Sequence, residues 1–291
     1  MKTLTRQEFL ASLGVATGLA LLPSSGYAFD AEVLKSKMKL GLVTYLWGKD
    51  WDVPTLITNC TASKIHGVEL RVDHAHKVMP DLSSAARKEV KKRFDDSPVQ
   101  IVGMGTNEQY DYPDQDKLRK SIERTKEFIR LSADIGGTGV KVKPNGLHKE
   151  VATEKTLEQI GQSLNELAIY AKDFGQQIRL EVHGNKTQEL PNIKSIMDAA
   201  PHKNATVCWN CNPEDLIGQG LEYNFNLVKK RFGDTCHVRE LNDPEYPYQE
   251  LMNLFKKAKY DGWILLECRT NPEDKVKALI EQRELFEKMI S

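Results

Sequence analysis

The chain of 291 residues lacks an excess of charge of either sign, since 41 Lys and Arg residues are balanced by 41 Asp and Glu residues. Proteins that bind nucleic acid usually present a basic surface, so this balance argues against a nucleic-acid partner. Long apolar runs are missing as well, and the longest, residues 9–22, is too short to span a membrane comfortably. We therefore expect a mature chain that binds no nucleic acid and does not insert stably into a membrane.

Cysteine is also scarce, with five residues in the whole chain. Cys208 and Cys211 form a C-x-x-C pair, but the sequence has no second pair of this kind, as a structural zinc site would require. An odd number of cysteines leaves at least one thiol free where disulfides form. We expect most of them to be small buried side chains.

The first 28 residues have the composition of an export signal. A charged start, an apolar centre and a small-residue exit at Ala28 follow one another. Residues 5–10 resemble the twin-arginine export motif, with Gln7 in the place of the second arginine. The segment predicts cleavage near Ala28 and a bacterial periplasmic location, with an amphipathic N-terminal helix as the alternative.

Eight short apolar runs alternate with longer amphipathic stretches in residues 37–291. The predicted strands are residues 39–45, 67–72, 99–104, 139–143, 177–182, 205–210, 237–241 and 263–268. They are rich in Val, Ile and Leu, as expected for parallel strands that are covered on both faces. Eight strand–helix repeats without an internal linker predict an α/β fold, a single (β/α)8 TIM barrel.

The helical stretches lie between these strands. Residues 115–135 and 154–174 carry apolar side chains near a 3.6-residue period. The predicted helix N-caps include Asp52, Asp81, Asp114 and Asn271. A doubly wound sheet is the alternative fold, but it calls for a Gly-rich phosphate-binding turn after the first strand, and residues 45–49 lack one.

Four polar residues lie at the ends of the last four predicted strands. Glu181, Asn210, His237 and Glu267 follow one another at intervals of about 30 residues, the length of one strand–helix unit. Because the carboxyl ends of barrel strands meet on one face, we expect the four side chains to converge there. Two carboxylates around a divalent cation can move a proton on a carbon next to a carbonyl.

Each of these carboxylates also has a purely structural interpretation. A buried, unpaired carboxylate costs several kcal/mol, so Glu181 and Glu267 need either a functional partner or a salt bridge to Lys141 or Lys143. We favour metal binding and catalysis because the barrel end on which both lie is the one that holds active sites. His237 is favoured as a ligand over a core histidine because it is in register with them.

Further side chains are expected to line the same pocket. His183 follows Glu181 by two residues and points the same way along the strand, although a core or loop histidine is the alternative. Lys143 lies near the carboxyl end of its strand, where it is expected to hold a substrate oxygen. Glu69 points inward on the second strand. His76 lies in the loop that follows, and the alternative is that this loop is merely polar and binds nothing. We expect all four to bind substrate.

In order and spacing, the strand-end residues resemble those of the xylose isomerase-like barrels of the sugar phosphate isomerase and epimerase type. The resemblance covers nearly the whole mature chain, from residue 38 to Glu267. It implies a metal held by Glu, Asp, His and Glu after strands five to eight, and Glu181, His237 and Glu267 match. The family's His-x-Lys-Asp pattern is present as His-Val-Arg-Glu in residues 237–240. This match adds Glu240 to the expected substrate-binding residues.

The departure from this pattern is on strand six, where Asn210 stands at the position of the family's Asp. An amide oxygen can ligate a hard cation but brings no negative charge. The resemblance therefore implies one divalent ion (Mn, Co, Mg or Zn) held by Glu181, Asn210, His237 and Glu267, with a lower affinity than four charged or basic ligands would give.

The expected function is a metal-dependent sugar isomerase or epimerase that works through an enediolate. One of Glu181 and Glu267 removes the proton, and the other returns it. Loss of a β oxygen would instead make the enzyme a lyase, or a hydratase in reverse. An exported enzyme rarely meets sugar phosphates, so a neutral or oxidised sugar is the expected partner.

Two other classes of protein stay open. Apurinic-site endonucleases share this barrel but use a trinuclear zinc cluster with many histidines, and the chain has seven histidines and no basic stripe. An exported sugar-binding barrel without catalysis is suggested by Asn210. Barrels of this kind often pair through their mouths, so a homodimer is a further alternative, although the sequence has no exposed apolar face that requires one.

Overall fold

The structure, a computed structural model, describes residues 36–291, so the predicted export signal lies outside the described residues. The described part forms eight strands, which are β1 (Lys39–Val43), β2 (Gly67–Arg71), β3 (Gln100–Gln109), β4 (Gly139–Lys143), β5 (Gln177–Glu181), β6 (Ala205–Cys208), β7 (Thr235–Val238) and β8 (Trp263–Leu266). Eight helices alternate with them, namely α1 (Val53–Ser63), α2 (Ser84–Asp95), α3 (Gln115–Asp134), α4 (Thr153–Lys172), α5 (Leu190–Asp198), α6 (Leu221–Val228), α7 (Tyr248–Lys257) and α8 (Lys275–Ile290). The predicted (β/α)8 barrel is confirmed.

The strands form one parallel sheet that nearly closes on itself. Their order is β6-β5-β4-β3-β2-β1-β8-β7, with β1 paired to both β2 and β8. Between β6 and β7 the barrel is joined by a bridge from Val207 to Phe232 and by a 2.7 Å hydrogen bond from His237 N to Trp209 O. Because all neighbouring strands are parallel, all their carboxyl ends meet on one face, and the side chains that follow them are brought together there.

The helices cover the outside of this sheet with their apolar faces. α3 and α4 lie where the 3.6-residue period predicted them, and α4 buries Leu157, Ile160, Leu164 and Leu167. Burying a side chain of this kind stabilises the fold by about 1.5–3 kcal/mol. None of the helices in residues 36–291 is both long and apolar enough to cross a membrane. All five cysteines are buried free thiols, in line with their expected role as small core side chains.

Two of the four predicted helix N-caps are confirmed and two are wrong. Asp52 and Asp114 accept hydrogen bonds from backbone N–H groups of the first helical turn. At the other two helices the caps are Ser83 and Asp274, not Asp81 and Asn271. The reason is that an N-cap must directly precede the first helical residue, and α2 and α8 begin later than the sequence pattern suggested.

The amino-terminal end of the barrel is filled by a polar cluster around Arg179. This fully buried guanidinium donates to Val102 O at 2.8 Å and to Thr138 Oγ1 at 2.6 Å, and Asp234 Oδ2 lies at 3.1 Å. The guanidinium packs directly against Gly139, since a Cβ at this position would lie 2.7 Å from Arg179 Cζ and would displace it. A cavity of about 710 Å³ opens at this end, on the side of the barrel opposite the predicted catalytic residues.

Candidate active site

Three of the four predicted metal ligands converge at the carboxyl ends of the strands. Glu181 ends β5, His237 lies in β7 and Glu267 follows β8, and one ligand atom from each lies within 4.8 Å of the others. His237 Nδ1 is 4.0 Å from Glu181 Oε1 and 3.7 Å from Glu267 Oε2. All three side chains are buried. The structure thus brings together the residues that strand periodicity had singled out.

These residues fit a divalent cation. His237 Nδ1 is buried and has no hydrogen-bond partner in the described part of the chain, although it faces two carboxylates. A buried polar atom without a partner is costly, so this nitrogen is suited to a ligand that the protein itself does not supply. One imidazole and two carboxylates form a donor set that zinc, manganese and cobalt accept.

Glu69 contacts the His237 imidazole at Nε2, the ring nitrogen that does not face the other two carboxylates. Its Oε1 lies 3.2 Å from His237 Nε2, an ion-pair distance without the alignment of a hydrogen bond, and both side chains are fully buried. A carboxylate beside one ring nitrogen favours the proton there and leaves the other nitrogen as the ligand. Glu69 had been predicted to bind substrate. The structure places its carboxylate beside His237 Nε2, and neither of its oxygens has a hydrogen-bond partner among the described residues.

Lys141 is the direct partner of Glu181. Its fully buried Nζ donates to Glu181 Oε2 at 2.7 Å and to Thr106 O at 3.2 Å. The salt bridge considered as the structural alternative therefore exists together with the convergence of the ligands. Burial raises the pKa of Glu181, but the Lys141 ammonium and His237 outweigh it and hold this pKa well below its usual range. Glu181 is thus ionised at neutral pH.

Asn210, two residues past the end of β6, contacts the same carboxylate. Its Nδ2 donates to Glu181 Oε1 at 3.1 Å, so the amide braces the side chain that Lys141 holds from the other side. Asn210 is therefore adjacent to the predicted ion but supplies no charge to it.

Replacing Asn210 by aspartate is expected to raise the affinity for Mn²⁺ or Co²⁺ at least about tenfold, because a third carboxylate adds charge to the ligand set. Isothermal titration calorimetry of the chelator-treated protein measures this change. Asn185→Asp is the matched control, since it adds the same charge at an exposed loop position. Equal affinities for Asn210→Asp and the parent protein would mean that residue 210 does not approach the ion.

A short buried network holds the loop that carries Asn210. Asn212 Nδ2 donates to Val182 O at 2.7 Å, and its backbone N–H donates to Asp215 Oδ2 at 2.9 Å. The hydroxyl of Tyr246 donates to the same Asp215 oxygen at 2.7 Å. Asp215 was not singled out from the sequence, because nothing in its local pattern predicts burial. It links the loop after β6 to the loop after β7.

Burial of Asp215 predicts a pH-dependent stability. Burial raises the pKa of Asp215 to about 7, whereas an Asp in an unfolded chain titrates near about 3.9. Between these values the folded chain keeps a proton that the unfolded chain releases, so the free energy of unfolding falls as the pH rises from 4 to 7.

Asp215→Asn cannot ionise and is expected to remove this fall, which amounts to roughly 3 kcal/mol between pH 4.5 and pH 7. Urea unfolding of both proteins at pH 4.5 and at pH 7 measures it. Identical pH slopes for the two proteins would contradict the buried, protonated Asp215.

Two other predicted substrate-binding residues, His76 and Glu240, form hydrogen bonds with the backbone of loops. His76 Nε2 donates to Arg71 O at 2.8 Å while its Nδ1 accepts from Val78 N at 3.0 Å, and burial lowers the pKa of His76 to about 4. Glu240 Oε1 accepts from the backbone N–H groups of residues 269 and 270, at 3.0 Å and 2.7 Å. Both residues lie past the ends of their strands, where the alternation of strand residues no longer predicts the direction in which a side chain points.

His183 and Lys143 remain at the mouth of the barrel, as predicted. His183 Nδ1 lies 2.9 Å from Asn145 Oδ1, and the ring is half-buried. Lys143 Nζ donates to Asn107 Oδ1 at 3.3 Å, and burial together with the nearby Lys141 lowers the pKa of Lys143 to about 8. Both side chains lie close enough to Glu181 and Glu267 for the charges of these carboxylates to act on them.

Sequence reasoning missed Arg71 and Asn107 at this mouth. Arg71 Nη2 donates to Asn107 Oδ1 at 3.2 Å, and its Nη1 lies 3.9 Å from Glu267 Oε1. The guanidinium also stacks over the Tyr45 ring, 5.1 Å from its centroid. The alternation of Glu69 with Arg71 on β2 was the available signal, but Asn107 lies beyond the predicted end of its strand.

The fold and the site define a (β/α)8 barrel with a candidate metal and acid–base centre at the carboxyl ends of its strands. The chain belongs to the xylose isomerase-like TIM barrel family, whose model matches residues 57–288. No curated protein matches it with significant sequence similarity.

Solved structures of similar fold include sugar epimerases. An L-ribulose 3-epimerase superposes with a TM-score of 0.73 at 13% identity, covering 87% of this chain and 94% of that one. A 3-keto-D-glucoside 4-epimerase from E. coli gives 0.73 at 12% identity, covering 86% and 99%. The IOLI protein, solved with a bound zinc atom, gives 0.71 at 13% identity, covering 87% and 98%. At these identities the likeness shows the fold alone.

Proposed function

We propose that the protein is a divalent-metal-dependent sugar isomerase or epimerase that transfers a proton at the carbon next to a carbonyl. The observation that carries this proposal is the pair of carboxylates, Glu181 and Glu267, held with His237 around one point within 4.8 Å. The sugar epimerases and the zinc-binding protein of the same fold support both the reaction class and the ion.

Glu181, His237 and Glu267 would hold the ion, with Asn210 beside them. When bound, a divalent cation polarises a carbonyl and an adjacent hydroxyl, which acidifies the C–H bond between them and stabilises an enediolate. His237 takes no part in proton transfer in this proposal. Its role is to present Nδ1, with the imidazole kept in place by Glu69.

The two carboxylates are not equivalent as bases. Both oxygens of Glu181 already accept hydrogen bonds, from Lys141 and from Asn210. The Glu267 carboxylate is held less tightly, because its nearest polar contacts are Arg71 Nη1 at 3.9 Å and His237 Nδ1 at 3.7 Å. We therefore assign the first proton abstraction to Glu267. Glu181, which is ionised, would take a proton from solvent and deliver it to the substrate carbon, and Glu267 would release its proton to solvent. Return on the opposite face gives epimerisation, and return to the next carbon gives isomerisation.

Proton NMR in deuterium oxide tests the proposal. The metal-loaded protein is incubated with a panel of ketoses and keto-sugars, and deuterium is expected at a carbon next to the carbonyl. Deuterium in the starting sugar or in its epimer or isomer supports the proposed reaction. Metal binding without exchange in any sugar would instead favour a sugar-binding barrel, and a new carbon–carbon double bond in the product would favour a lyase.

We also propose that the protein is exported to the periplasm, on the composition of residues 1–28, and that a small sugar or keto-sugar is its partner. A homodimer is proposed on a narrower basis. Ile217 and Tyr223 are exposed near the helical turn that follows β6, on the same side of the barrel as the candidate site. Light scattering of the purified chain distinguishes monomer from dimer.

A further inference from the structure

Two cationic side chains at the mouth of the barrel share one neutral acceptor. Arg71 Nη2 and Lys143 Nζ donate to the same atom, Asn107 Oδ1, at 3.2 Å and 3.3 Å. The Arg71 side chain is 14% exposed, and Lys143 is half-buried, so neither charge is fully solvated. An amide oxygen carries no net charge, and among the described residues the one carboxylate in ion-pair range of either cation is Glu267, whose Oε1 lies 3.9 Å from Arg71 Nη1. The pair is thus positioned to take an anionic group from a ligand.

The charges around the candidate ion lead to the same conclusion. Three carboxylates face the ligand position or its imidazole, namely Glu69, Glu181 and Glu267. Three cations lie among them, namely Lys141, Arg71 and Lys143. With the His237 imidazole neutral, as a metal ligand must be, these side-chain charges balance without the ion. A divalent ion adds two positive charges, and Asn210 supplies none of the negative charge that an aspartate would bring.

An excess of positive charge in a partly buried site is costly unless an anion joins it, because Coulomb energies are larger there than in water. The titration of Lys143 reflects this environment, since burial, Lys141 and Arg71 together lower its pKa to about 8. A ligand that brings negative charge to the mouth would relieve the repulsion between the two cations. A neutral sugar would leave it in place.

We propose that Arg71 and Lys143 form an anion subsite that binds a substrate carboxylate, so that the substrates are keto-sugar acids and not neutral ketoses. The inference rests on the proposed function and narrows it to a substrate class. A carboxylate is proposed as the occupant because two cationic donors close enough to share one acceptor can each donate a charge-assisted hydrogen bond to one of its two oxygens. Bound there, the carboxylate would keep the carbonyl end of the sugar free to reach Glu181 and Glu267.

A matched set of ligands tests the subsite on the metal-loaded protein. D-fructuronate and D-fructose differ only in the oxidation of one terminal carbon, and D-fructose 6-phosphate provides a phosphate at the same carbon. Calorimetry measures the affinity of each, and NMR in deuterium oxide measures exchange. We expect D-fructuronate to bind at least about tenfold more tightly than D-fructose, because charge-assisted hydrogen bonds are worth more than neutral ones.

Lys143→Gln is expected to reduce the fructuronate-to-fructose affinity ratio about tenfold. Lys203→Gln removes the same charge from an exposed position before β6, at the opposite end of the barrel, and is expected to keep the parent ratio. Equal affinities of the parent protein for fructose and fructuronate would overturn the subsite while leaving the proposed reaction intact. A clear preference for the phosphate ester would overturn the carboxylate as the occupant, and with it the assignment of the substrates as keto-sugar acids.

The two proposals fail separately. Tight fructuronate binding that depends on Lys143, without deuterium exchange, would keep the anion subsite and overturn the proposed reaction. Deuterium exchange in neutral ketoses at a rate that Lys143→Gln leaves unchanged would keep the proposed reaction and overturn the anion subsite. Calorimetry therefore decides on the subsite whether or not the protein turns over any sugar of the panel.

Discussion

Glu267→Gln is expected to lower the rate of solvent-deuterium exchange by a factor of about 10³. The substitution keeps the size of the side chain and an oxygen that can ligate a cation, but it removes the group assigned to take the proton. Glu181→Gln is expected to have an effect of similar size on the formation of the epimer or isomer, because it removes the group that returns the proton. The measurement is NMR in deuterium oxide on the best substrate of the panel.

The control for this pair is Glu189→Gln. Glu189 is exposed, directly precedes α5 and caps it with no side-chain hydrogen bond, so its replacement is expected to leave the exchange rate unchanged. Calorimetry on the same variants separates loss of the ion from loss of the base. A Glu267→Gln protein that binds the ion and exchanges at the parent rate would remove Glu267 from the proposed reaction.

Lys141→Met is expected to lower the free energy of unfolding by about 3–5 kcal/mol, since it leaves the Glu181 carboxylate buried beside an apolar side chain. Lys141 Nζ lies 2.7 Å from Glu181 Oε2, and both side chains are buried. Urea denaturation of the chelator-treated protein gives the free energy, so that a bound ion does not replace the lost partner.

A double-mutant cycle isolates the contribution of the pair. In the Glu181→Gln background the buried charge is gone, so Lys141→Met is expected to cost much less there than in the parent protein. The exposed Lys203→Met should change stability by less than about 0.5 kcal/mol. The same loss for Lys141→Met in both backgrounds would mean that Lys141 stabilises the barrel by packing and not by its pairing with Glu181.

The order and type of the strands follow from the sequence because each is a short run of Val, Ile and Leu between amphipathic segments. The residues at which the strands begin and end are harder to predict from the sequence. β3 continues to Gln109, past the predicted end at residue 104, because the polar residues beyond it still pair with β4 across a register shift. β7 begins at Thr235 and not at His237, because its pairing with β8 starts with a polar residue. Backbone pairing, not hydropathy, sets both boundaries.

The residues of the candidate site were likewise predictable only in part. Glu181, His237 and Glu267 were predictable because strand periodicity fixes where the ends of parallel strands meet. Lys141 could be predicted only as one of two lysines, with Lys143, that could form a salt bridge to Glu181 or Glu267. The placement of Glu69 behind His237 depends on contacts between distant strands, for which a single sequence carries no local signal.

The loops were beyond prediction for a related reason. His76 and Glu240 lie past the ends of their strands, where each side chain follows the hydrogen bonds of its own loop. The shared acceptor Asn107 belongs to the extension of β3 that hydropathy did not reveal. The anion subsite therefore becomes apparent only once the three-dimensional arrangement of β2, β3 and β4 is known.

The metal dependence of deuterium exchange is the measurement that bears most directly on the proposed function. The protein is stripped with a chelator and titrated with Co²⁺ or Mn²⁺ while exchange at the carbon next to the carbonyl is followed by NMR. We predict no exchange in the stripped protein and a rate that saturates at one equivalent of ion. Exchange at the full rate in the stripped protein would contradict the proposal, because Glu181, Glu267 and Lys141 would then suffice without a cation.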